Sequence, residues 1–360
     1  MKRLLTLAIL FSMMQNLSIT GNPLMSQETT VQKEVREPAD PRDRNNNFYD
    51  NTTMVPLPLG TFTVEGEVEN PGAVDFSQLR VRSVITKEAL LNDDGTNRFI
   101  GAYRYDGYSL FDILENRILN KKNKDAFRPI IDLYVIIENN KGEKVVLSWG
   151  EIYYPAHLHE ILIATSVGRI VPSKTNELWP LTKESKLIIG NDLLTERNIS
   201  NPVKITVKSF DRDIPVNRDL TPLFSDNFTI TRDKKALTFI KDLPPNLPKY
   251  TYNAIFYGRG RGIHSTTPFS GVLLSEMILP YTRQTSLDLK TGLVAVIGAD
   301  GYRGIYSLSE IINRSDQEEI LLVEGKSEDG SGMFRLYPAC DFFSDRAVKA
   351  LSEIEILSVK

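Results

Sequence analysis

Cysteine is almost missing from this chain: Cys340 is the one example in 360 residues. One cysteine excludes an intrachain disulfide, a cysteine-rich zinc site and an iron–sulfur cluster. An excess of one charge sign is missing too. Forty-three Lys and Arg face forty-six Asp and Glu, for a net charge of −3, so composition gives no electrostatic case for nucleic acid. Beyond the N-terminus no stretch approaches eighteen consecutive apolar residues, so no membrane span is expected in the mature chain. Walker, nucleophile-elbow and zinc-protease signatures are absent, which leaves no enzyme class marked by a short motif. What remains is a globular composition, 41% hydrophobic and 25% charged, long enough for two to three domains.

The N-terminus reads as an address. Lys2 and Arg3 precede an apolar run over residues 4–14, too short to span a bilayer as a helix. Residues 1–20 are therefore expected to be a signal peptide, with small residues near Ser18, Thr20 and Gly21 as the cleavage region. An uncleaved anchor or a buried N-terminal helix stays open. Residues 21–56 follow as a flexible linker, because the polar stretch with Pro38, Pro41 and three consecutive asparagines cannot bury enough surface to offset ordering entropy. The chain is expected to be secreted or periplasmic.

The remainder reads as one unit used twice. Phe62-Thr63-Val64 matches Phe228-Thr229-Ile230, and the stretch from Gly107 through Leu114 matches that from Gly271 through Ile278. Two β-branched runs, 133–137 and 293–297, each end in a Gly-containing turn and lead to a second strand, which is a hairpin pattern. Residues 308–312 read as a short helix, and 204–207 and 353–357 as closing strands. Gly107 and Gly271 read as turn glycines feeding short amphipathic helices. Thr195-Glu196-Arg197-Asn198-Ile199 matches Ser344-Asp345-Arg346-Ala347-Val348, and Arg346 is expected to pair with a carboxylate such as Asp341 or Asp345. The class is α+β, strand-rich, with domains at 57–210 and 222–360 joined by a short linker.

The order of strand, variable loop, Gly-x-x-Leu helix, Asp-Gly hairpin, short helix, proline loop, Arg block and final strand resembles the oxidoreductase molybdopterin-binding domain, the sulfite-oxidase fold. Ser270-Gly271-Val272-Leu273-Leu274, Ala299-Asp300-Gly301-Tyr302 and Pro338…Arg346-Ala347-Val348 carry the resemblance. It is clearer in the second copy than in the first. Catalytic members of that family hold molybdenum through a cysteine thiolate in the loop ahead of the Gly-Val-x-Leu helix. Here that loop reads Asn253-Ala254-Ile255-Phe256-Tyr257-Gly258-Arg259-Gly260, and residues 98–104 of the first copy hold no cysteine either. Phe or Tyr cannot stand in for a soft thiolate. The resemblance therefore implies a relative that has lost the family's catalysis, with no cofactor expected and molybdopterin as the alternative. Cys340, in the later loop, reads as a buried inert thiol.

The residues left to bind something cluster in Gly258-Arg259-Gly260-Arg261-Gly262-Ile263-His264-Ser265-Thr266-Thr267. Glycines let the backbone approach a ligand, and arginines present fork-shaped donors to a phosphate or carboxylate. The candidate ligand residues are Arg259, Arg261, His264, Ser265, Thr266 and Arg303, with a solvated glycine loop as the plainer reading. His157 and His159 would share one face if extended, but two histidines make a poor metal site, and surface-loop histidines near Pro155 are the plainer reading. Tyr103, Tyr105 and Tyr108, interleaved with Arg104 and Asp106, read as part of a half-buried strand, with an aromatic groove lining as the alternative. Three functions follow. The first is an exported, non-catalytic protein binding an anionic small molecule or a protein partner. The second is a molybdopterin-dependent oxidoreductase without a cysteine ligand, and the third a tandem β-rich interaction module at the cell surface.

Overall fold

The computed structural model describes residues 52–172, 175, 177–325 and 332–359. The expected signal and most of the expected linker lie outside them. The end of that linker already belongs to the fold. Strand β1 (Val55–Pro56) pairs with Ser166 and Val167, and Thr52 Oγ1 donates to the Arg169 carbonyl at 2.6 Å.

The first half continues through β2 (Thr63–Gly66), β3 (Gly72–Ala73), β4 (Val81–Leu91), β5 (Asn97–Ser109), α1 (Leu110–Glu115), β6 (Leu133–Asn139), β7 (Lys144–Ser148), α2 (Trp149–Tyr153), β8 (Ile161–Arg169), β9 (Lys186–Ile189) and β10 (Pro202–Ser209). The second half runs β11 (Phe228–Arg232), β12 (Lys235–Ile240), β13 (Tyr250–Tyr252), β14 (Phe256–Gly258), β15 (Gly262–Ser265), β16 (Phe269–Leu273), α3 (Leu274–Ile278), α4 (Ser286–Thr291), β17 (Gly292–Gly298), β18 (Arg303–Ser307), α5 (Leu308–Ile312), β19 (Ile320–Glu324), β20 (Phe334–Pro338) and β21 (Leu351–Ser358). The content is 43% strand and 13% helix, a strand-rich chain with small mixed sheets.

Both halves follow the same path. One sheet has the order β3-β2-β10-β6-β7, and its counterpart the order β12-β11-β21-β17-β18. In each, the first long strand lies parallel to the last (β2 with β10, β11 with β21), and the central hairpin is antiparallel. The second sheets match as well: β4-β5-β8-β9 against β13-β16-β19-β20. Each half buries its own core between its two sheets. Val135, Ile137 and Leu147 lie in the first core, and Val294, Val296 and Tyr306 in the second.

β6 and β17 read as unbroken apolar runs because both of their faces are covered. Tyr134 and Ile136 of β6 turn away from the first core and meet Leu293, Ala295 and Ile297 of β17, together with Val146 and Ile305. The sheets that hold β6 and β17 thus pack against each other across the middle of the molecule. Each fully buried Val, Leu or Ile there contributes roughly 1.5–3 kcal/mol relative to exposure. The connection between the halves is also held down: Arg212 pairs with Glu353 and Glu355 at 2.8 Å, and Asn217 N donates to the Asp300 carbonyl.

Gly107 and Gly271 are not turn glycines. They sit inside β5 and β16, and a Cβ on either would run into the backbone of the neighbouring strand, at Ile163 and Leu322 respectively. Close strand approach at equivalent places in the two halves is what fixes them. His157 and His159 lie in a turn rather than on a strand face. Tyr103 and Tyr105 are buried in β5, as alternation predicts. No helix among the described residues is long and apolar enough to cross a membrane.

Candidate functional site

Two constellations of charged side chains stand out. The first lies at the junction of the halves. Ser148 caps α2 and Ser307 caps α5, each in a reciprocal box with the glutamate three residues on, Glu151 or Glu310. Arg197 donates to both Asp192 oxygens at 2.9 and 2.6 Å and to Glu151 at 3.1 Å, then crosses to Ser307 Oγ of the other half at 3.0 Å. Arg346 does the same in reverse: it grips Asp341 at 2.8 and 2.6 Å and Glu310 at 3.1 Å, and reaches Ser148 Oγ at 3.0 Å. Both arginines are essentially unexposed. Of the two carboxylates expected for Arg346, Asp341 is the partner.

Burial opposes the Arg197 cation, but Asp192 and Glu151 outweigh it and hold the guanidinium above its ordinary range. Burial also raises Glu151 to about 7, with Arg197 pulling it down and Glu310 pushing it up. This network is sealed and fully partnered. It couples the halves and offers a ligand no way in.

The second constellation is the glycine–arginine loop. It forms a two-stranded ribbon, β14 with β15, with Gly262 at φ +75°, a conformation glycine adopts freely. The ribbon is tied to the body where Arg259 N donates to Asp345 Oδ2 at 3.1 Å. Beneath it lies a cleft of about 360 Å³. Phe256, Gly258, Gly260, Arg261 and His264 form its ribbon side. Asp300, Tyr302, Asp345, Ala347 and Lys349 form the opposite side, with Leu223 and Ser344. Gly258 is bare because the His264 ring lies over it, where a Cβ would be only 2.6 Å from Nε2. Phe256 packs its ring 5.4 Å from His264. Tyr302 is fixed by its hydroxyl, which donates to the Asp345 carbonyl, and burial raises its pKa. The two acids are already engaged by backbone amides: Asp345 by Arg259 N, and Asp300 Oδ1 by Tyr302 N at 3.0 Å.

Of the six candidate residues, the structure brings Arg261 and His264 to the cleft, and Arg259 to its rim through the backbone. Ser265 Oγ is taken up by Thr267, whose amide and hydroxyl both meet it, and Thr266 is exposed outside the lining. Arg303 does not join them. It is buried between the halves, 3.4 Å from Asp132 and stacked over Phe127 at 4.1 Å, beside Lys121. Burial lowers the pKa of both Arg303 and Lys121. Lys349, Tyr302, Asp300 and Asp345 escaped the sequence reading as cleft residues, although the Asp300-Gly301-Tyr302 turn and the Arg346 block were visible as motifs. Asn198 and Asn313, in glycosylation sequons, are both buried.

Cys340 lies in the second core, its Sγ 3.6 Å from Asp341 Oδ1, and burial pushes its thiol well up. Among the described residues no group of three or more His, Cys, Asp or Glu is placed to hold a metal.

No family model matches the chain, and neither a curated protein nor a solved structure matches it.

Proposed function

We propose that this chain is an exported, non-catalytic binding protein built on a duplicated unit similar to the sulfite-oxidase fold, and that it takes an anionic small molecule in the cleft under β14 and β15. The observation that carries the reading is Arg261. Its guanidinium stands at the cleft with no partner among the described residues, and each of the two acids across from it accepts a backbone amide at one oxygen rather than this side chain. A guanidinium so placed suits a carboxylate or phosphate oxygen pair. The shared strand order of the two halves supports the duplicated unit.

The donor set does not fit a molybdenum centre. The chain's one thiol, Cys340, is 5% exposed in the core, and burial favours its protonated form. The loop that holds the ligand cysteine in the resembled family offers Phe256 and Tyr257 instead. No chemical step is derived through such a group.

The test is native purification from an exporting host, followed by metal analysis and small-molecule mass spectrometry. The reading expects a co-purifying anion whose affinity falls at least tenfold in Arg261→Ala. Molybdenum with pterin fluorescence would overturn it, and so would an affinity that this substitution leaves unchanged.

A further inference from the structure

The ribbon has a second face that the cleft does not use. Phe256 and His264 turn toward the cleft, whereas Tyr257 and Ile263, directly paired across the ribbon, share the opposite face. Ile263 is 66% exposed. Ile255, immediately before β14, is 67% exposed, and Phe342 beside the ribbon is 56% exposed. Tyr257 links Ile263, its partner across the ribbon, to Phe342 and Phe343, its ring 5.9 Å from the first and 5.8 Å from the second, and Ile255 lies two residues before it in the chain. Single exposed hydrophobics are ordinary, but large ones gathered along one face of a two-stranded ribbon mark a contact surface.

Two features of the patch select its occupant. It is small: a stable protein–protein interface takes about 20–30 residues a side, and this patch offers five side chains around a ribbon tip. It is also flanked by a cation. Arg259 stands exposed at the ribbon turn, its side chain not ion-paired to an acid among the described residues and its amide donating to Asp345, whereas Arg261 lies on the cleft side. Aliphatic and aromatic tips beside arginine are suited to the boundary between acyl chains and anionic headgroups, where apolar burial and charge attraction add.

We propose that the β14–β15 ribbon docks on an anionic lipid surface, with Ile255, Ile263 and Phe342 entering the headgroup boundary and Arg259 against lipid phosphates. The site is separate from the cleft and stands or falls independently of its ligand.

The test is co-sedimentation of the purified chain with vesicles of phosphatidylcholine alone and of phosphatidylcholine with 30% phosphatidylglycerol. All variants share the N-terminal apolar run, so its contribution cancels between them. Binding is expected on the anionic vesicles and to weaken with added salt. Ile255→Ser/Ile263→Ser should lower partitioning at least tenfold, and Arg259→Ala about fivefold. These side chains are exposed, so unchanged circular dichroism should accompany the loss; Phe342→Ser provides a second variant outside the ribbon. Equal partitioning of wild type and the double serine variant overturns the proposal. So does equal binding to neutral and anionic vesicles. A concentration-dependent dimer abolished by the same substitutions would assign the patch to a second copy and overturn it as well.

Discussion

Replacing Gly150 with alanine tests the placement of the Arg346 side chain directly. Gly150 is the second residue of α2, and a Cβ there would fall inside contact distance of Arg346 Cζ, Nε and Nη1. Arg346 is not a flexible end that can swing aside. Its guanidinium is fully buried and fixed by Asp341, Glu310, Ser148 Oγ and the Ile305 carbonyl, and it stacks 4.3 Å over Tyr306. Making room for one methyl group means pulling the cation off at least one carboxylate. Breaking a buried ion pair costs about 3–5 kcal/mol. The better helix propensity of alanine returns at most about 1 kcal/mol, so the clash decides the sign.

Total stabilities are about 5–15 kcal/mol, so the loss is a large share. Urea unfolding followed by circular dichroism should show it as a lower midpoint. The equivalent residue of the other half is Ser309, which donates to the Leu289 carbonyl and accepts from Asn313. Ser309→Gly should therefore cost only about 1–2 kcal/mol, the scale of lost hydrogen bonds. If Gly150→Ala lies within 1 kcal/mol of wild type, the arginine does not pass over α2 as described.

Other outcomes follow from the same geometry. Arg197→Met and Arg346→Met should destabilise by similar amounts, about 3–5 kcal/mol each by thermal or urea unfolding, because each strands two buried carboxylates. Burial lifts the Glu151 carboxyl from 4.5 to about 7 in the folded chain. The folded state then holds that proton where the unfolded state has lost it, so this contribution is complete below about pH 4.5 and lost as pH rises to about 7. Glu151→Gln should flatten the pH dependence of stability in that window by up to about 3 kcal/mol. Arg303→Ala should lower stability by removing one of the two cations beside buried Asp132 and the packing over Phe127, yet leave the affinity of any cleft ligand unchanged, which titration calorimetry reads. Cys340 should resist a thiol reagent in the native chain and react fully in denaturant.

Much of the fold was legible because it is written in local patterns repeated twice. The β-branched runs of β6 and β17, the glycine turns that follow them and the matching Arg197 and Arg346 blocks all lie within a few residues of their signals. Pairing of Arg346 with Asp341 was readable for the same reason. Contacts set by distant chain were not. Gly107 and Gly271 looked like turns because nothing nearby reveals that β8 and β19 press against them. Val55 and Pro56 looked like linker because their partner lies more than a hundred residues on. Arg303 looked like a ligand donor because its sequence neighbours form a turn, while its partner, Asp132, belongs to the other half. In the cleft, Arg261 and His264 were visible as a glycine–arginine string, but Tyr302, Asp345 and Lys349 are brought opposite them only by the closing elements of the second half.

The arginine exchange has a consequence for how the molecule could be divided. Residue i of one half meets j of the other while j's equivalent meets i's, the pattern two identical subunits make about a dyad. Severing the chain near residue 218 would leave each fragment with a guanidinium aimed at an absent helix cap. Two copies of one fragment could satisfy each other by rotation alone. Covalent union then removes the demand for sameness, and the glycine at 150 opposite a serine at 309 records a divergence that a true pair of identical subunits could not carry.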